Sequence, residues 1–156
     1  MSDLLELLAQ LAVTIAALSA VAGATRSPAQ DTLNSSLLLR DVALVGLAVA
    51  LYSFVPLLMF EAGLAIPFVL KACSAVAAVS WIVGYLLYIR RIRKQPHLFT
   101  GMFMLGLVDT LAGIGLFVSG LFMPNGVSYL SALLCWLAIA SLNFISAIFS
   151  PSGDVT

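Results

Sequence analysis

Five stretches of about twenty mainly apolar residues restrict the folding of this chain more than any other feature, at residues 4–24, 42–60, 68–89, 101–123 and 129–149. An α-helix rises about 1.5 Å per residue, so about 20 residues cross the roughly 30 Å of hydrocarbon in a bilayer. Each stretch meets that length, and the expected fold class is all-α: a polytopic transmembrane helix bundle with five spans in a single domain, residues 1–156. Glu6 and Gln10 weaken the outer end of the first stretch, because polar side chains are costly to insert. The alternative is four spans plus an interfacial N-terminal helix.

Composition points the same way. The chain is 62% hydrophobic and 9% charged, with a mean hydropathy of +1.13, whereas a soluble domain is about 45–50% apolar and about 25% charged. A chain this short leaves too much of itself exposed to hide such a surface from water. The formal net charge of zero gives no case for nucleic acid, so only the placement of charge is informative. The start, Met-Ser-Asp-Leu-Leu-Glu, lacks the positive n-region of a secretory signal, and the first stretch is expected to belong to the mature protein.

The connections carry recognisable breakers. Residues 26–40 are polar and include Ser27-Pro28, residues 61–67 form a short link, and Met123-Pro124-Asn125-Gly126 is a tight turn signal that makes the last two spans an antiparallel hairpin. The tail, 150–156, is expected to fray. With five spans, Arg26, Arg40, Arg90, Arg91, Arg93 and Lys94 share one side and only Lys71 stands on the other. Lys and Arg are retained in the cytoplasm during insertion, which puts the N-terminus outside and the C-terminus inside, in a bacterial inner membrane.

Each span carries small residues on one face: Ala9, Ala12, Ala16, Ala20 and Gly23; Ala43, Gly46 and Ala50; Cys73, Ala77, Ser80 and Gly84; Gly106, Gly113 and Gly120; Ala132, Ala140 and Ala147. Lipid gives helices no hydrophobic reason to associate, so close backbone approach must supply the attraction. A compact bundle with little empty interior is expected.

Asp109 is the acid deepest inside a span, about eight residues or about 12 Å from the inner end of the fourth. A charged Asp at a helix centre costs about 2.5–3.5 kcal/mol on insertion scales. It reads as a cation or proton site, or as a clasp to Asn143 at similar depth or to a snorkelling Arg40 that sets helix register. The clasp is preferred, because a relay needs more than one station. Asp3, Glu6, Gln10 and Thr14 form a polar strip down the first helix, read as an inward-facing hydrogen-bonding line, or as the mouth of a solute path or a partner-binding edge.

Arg90, Arg91, Arg93 and Lys94 set topology and meet anionic headgroups, worth about 1 kcal/mol each. Glu61 and Lys71 flank the outer side and suit an exposed pair. Cys73 and Cys135 read as small packing residues. Pro56 removes a backbone hydrogen bond near Tyr52 and Ser53. Trp81, Tyr85 and Tyr88 share a face, with the two tyrosines suited to the headgroup belt. The lone histidine, His97, makes no metal site, and no catalytic motif or cofactor signature is present.

In layout the chain resembles a group of small bacterial multi-span membrane proteins. The matching residues are Leu4-Leu5-Glu6-Leu7 with Ala9-Gln10-Leu11, then Phe54-Val55-Pro56-Leu57, the basic run from Arg90 to Lys94, and Leu142-Asn143-Phe144. The resemblance implies no activity, substrate or cofactor, and it draws attention to Glu6, Gln10 and Asn143. The expected function is a non-enzymatic structural or accessory membrane subunit; the alternative is a small ion or solute transporter using Asp109 and the first-helix strip. The expected partners are the bilayer, anionic lipids at the cytoplasmic face, and further copies or a larger membrane complex.

Overall fold

The computed structural model describes residues 1–25, 33–92 and 101–149. These form α1 (Ser2–Thr25), α2 (Leu33–Glu61), α3 (Ile66–Ile92), α4 (Gly101–Phe122) and α5 (Gly126–Phe149). Helices α1, α2, α3 and α5 are each long and apolar enough to cross a membrane, and α4 adds the shorter apolar stretch Leu107–Phe122. The protein is an integral-membrane helix bundle. Helix α2 starts at Leu33 and α3 ends at Ile92, so both continue past the apolar runs that define their spans. The tail 150–156 lies outside the described residues.

The turns follow from local chemistry. At the end of α2, Gly63 adopts φ +79°, Leu64 N–H donates to the Met59 carbonyl at 3.1 Å and Gly63 N–H to the Phe60 carbonyl at 2.9 Å. This is the Schellman arrangement, in which a residue without Cβ takes the left-handed position and the last helical carbonyls find donors. At the start of α5, the Asn125 side chain accepts from Ser128 N–H at 2.7 Å and so caps one of the orphan donors there.

Helix α1 packs most extensively on α2, α5 lies against α2, α4 and α1, and α3 rests on α4 and more lightly on α2. Met1 packs against Gly126, which puts the first residues of α1 and α5 at the same end of the bundle. The small-residue contacts are real where helices meet. A Cβ added at Gly46 would stand 2.9 Å from the Ala12 carbonyl oxygen and 3.1 Å from the Ala16 Cβ, and one at Gly120 would stand 2.8 Å from the Ser74 Oγ. Ala12, Ala50, Cys73, Ala77, Ala132 and Ala140 are buried. Ala20, Gly23, Ser80 and Gly84 are exposed instead. Gly84 has open space around it.

Candidate functional site

The centre of the bundle is aromatic. Trp136 of α5 stacks at ring-centroid distances of 4.2 Å on Trp81 of α3, 5.2 Å on Phe117 of α4 and 5.4 Å on Tyr52 of α2. Phe117 meets Tyr129 edge-on at 5.7 Å. Four helices therefore converge on one cluster, in the tilted and edge-to-face geometries that aromatic quadrupoles favour. The Trp81 indole N–H donates to the Thr110 carbonyl at 3.2 Å and ties α3 to α4.

Pro56 explains the position of Tyr129. Proline has no N–H, so the carbonyl four residues earlier, at Tyr52, loses its helical donor. The Tyr129 hydroxyl donates to that carbonyl at 2.6 Å. Pro56 is itself fully buried, and a bare carbonyl in that setting would cost about 1–3 kcal/mol. The sequence marks the gap through Pro56 and Tyr52; the donor, 77 positions further on, carries no local signal.

Between α2 and α3 the light packing leaves a laterally open groove of about 590 Å³, floored by Trp136 and Trp81 and running from Met59 and Ala72 to Leu44 and Gly84. Its walls are apolar except for Tyr52 and Ser80, whose hydroxyl oxygens are 2.6 Å apart. Ser80 donates to the Val76 carbonyl at 2.8 Å, so the Tyr52 hydroxyl donates to Ser80 and keeps lone pairs of its own.

Asp109 is partly buried on α4. The Cys135 thiol of α5 interacts electrostatically with its carboxylate, while Oδ2 is buried without a partner. Asp109 thus neighbours Cys135 of α5. Across the α4–α5 hairpin Gly113 faces Ala132, Cys135 and Trp136, so Asp109, one turn earlier on α4, lies between the levels of Cys135 and Asn143. Arg40 is exposed near the start of α2.

The α1 strip does not point inward. Asp3, Glu6, Gln10 and Thr14 are all exposed. Gln10 donates to the Glu6 carboxylate at 3.4 Å and Thr14 to the Gln10 carbonyl at 2.8 Å. Arg90 is exposed at the end of α3, Arg91 belongs to that helix, and Arg93, Lys94 and His97 lie outside the described residues. Glu61 and Lys71 are both exposed. Cys73 and Cys135 are free thiols, Cys73 buried with its sulfur 3.9 Å from that of Met59. No group of three or more metal-ligating side chains forms among the described residues.

No protein-family description, curated protein or solved structure matches the chain.

Proposed function

We propose that this protein is a non-enzymatic structural or accessory subunit of a membrane assembly. The observation that carries the reading is the polar strip of α1, which faces away from the bundle on a helix long and apolar enough to span. Polar side chains on the outside of a spanning helix are costly in hydrocarbon and gain by hydrogen-bonding to another helix. The filled aromatic centre agrees with a building block rather than a conduit, and the groove between α2 and α3 offers an apolar lateral face.

In this reading the membrane is a bacterial inner membrane, with the N-terminus outside and the basic end cytoplasmic. Arg40 and Arg90 are exposed at the end opposite the α2–α3 turn, where they and the run through Lys94 would meet anionic headgroups. Extraction in mild detergent followed by native mass spectrometry tests the assembly: a stoichiometric complex is expected, and a lone chain at every protein concentration refutes it.

A small ion or solute transporter is the second reading, supported by the unpartnered Asp109 Oδ2. Flux into liposomes that disappears in Asp109→Asn would favour it.

A further inference from the structure

Helix α1 presents two opposite faces. Leu5, Leu8, Ala12 and Ser19 are buried, and at about 100° per residue Glu6, Leu7, Gln10 and Thr14 lie on the far side. Thr14 is satisfied by its own helix. Gln10 gives one N–H to Glu6, but an amide carries two N–H groups and two lone pairs. Its second N–H is left for a partner.

The α2–α3 groove has the matching shape. From Leu44 to Met59 it runs about 22 Å along α2, longer than the roughly 15 Å depth of one leaflet, half the hydrocarbon core. An acyl chain from one leaflet fills part of that length, whereas a spanning helix fills all of it. Ala48, Ala72 and Gly84 border the groove, and small residues let a second helix backbone approach. The Tyr52 hydroxyl oxygen faces it as an acceptor.

The levels also correspond. Gln10 stands about 12 Å along α1 from Ser2, and Tyr52 about 14 Å along α2 from Glu61, measured from the same end of the bundle. Two copies inserted the same way round therefore bring the spare amide and the free hydroxyl lone pair to one depth.

We infer that the α2–α3 groove seats the outward face of α1 from a second copy of this chain, with the Gln10 side chain donating to the Tyr52 hydroxyl oxygen. The inference rests on the reading of the protein as an assembly subunit and names the partner. Different patches meet, so the contact is head-to-tail, and in the plane of the bilayer it closes into a ring or continues as a row.

The test uses two differently tagged full-length copies, co-expressed in a Cys73→Ala, Cys135→Ser background, one carrying Gln10→Cys and the other Ser80→Cys. Oxidation in native membranes should link the two tags, and replacing Ser80→Cys with Leu134→Cys, on an exposed position of α5, should not. Gln10→Leu should weaken self-association in liposomes, followed by energy transfer between labelled copies, by about threefold to fifteenfold for one intramembrane hydrogen bond. Native mass spectrometry separates the failures. A stoichiometric foreign subunit without self-linking overturns the self-docking and leaves the assembly reading standing. A lone chain, with or without a bound phospholipid, overturns both.

Discussion

Replacing Tyr129 with Phe removes one hydroxyl and leaves the ring packed against Phe117. The lost bond, 2.6 Å long, ends on a carbonyl that Pro56 deprives of its helical donor. Intramembrane hydrogen bonds average about 0.6 kcal/mol with a maximum near 1.7, and an orphaned buried acceptor costs about 1–3 kcal/mol. Because no N–H stands behind the Tyr129 hydroxyl, the loss should fall near the top of the membrane range, about 1.5 kcal/mol. In a Pro56→Ala background residue 56 regains its N–H and can donate to Tyr52. There the same substitution should cost about 0.5 kcal/mol, a coupling of about 1 kcal/mol across the double-mutant cycle. Unfolding in mixed micelles, followed through Trp81 and Trp136, measures all four corners. Equal costs in the two backgrounds would refute the link between Pro56 and Tyr129.

Gly46→Leu should drive α1 off α2, because even a Cβ there meets the Ala12 carbonyl oxygen at 2.9 Å; a loss of about 1–3 kcal/mol and faster proteolysis of α1 are expected. Asn125→Ala removes the cap from Ser128 N–H and should cost about 1 kcal/mol in the same unfolding assay. Asp109→Asn should not destabilise the fold, since it removes a charge that costs about 2.5–3.5 kcal/mol at a helix centre, and a subunit role predicts no change in ion leak from liposomes. A fall in stability above 2 kcal/mol would show that the carboxylate is required.

The spans were legible because length and apolarity alone decide what a bilayer accepts, and Asn125 and Gly63 sit where turn chemistry demands them. Which face of each helix meets a neighbour was less legible. A repeat such as Ala12, Ala16, Ala20 defines a stripe on its own helix, but Ala12 is buried and Ala20 exposed, because contact depends on where the neighbouring helix runs. The neighbours of Asp109 were hard to read for a related reason. Depth counted from assumed span ends suggested Asn143, whereas the hairpin register places Asp109 between the levels of Cys135 and Asn143. The aromatic cluster joins residues from four helices, and such long-range convergence has no sequence period. The outward direction of the α1 strip was equally hidden, since Glu6, Gln10 and Thr14 share a face whether that face turns in or out.

A spin label reads the outward direction of the α1 strip. A label placed at position 10, in the cysteine-free background, would be compared in membranes and at high detergent dilution. An outward strip gives a label that is held in the assembly and freely mobile once copies separate. A label at 10 that stays immobile at every dilution would place the strip inside the bundle and refute its outward direction.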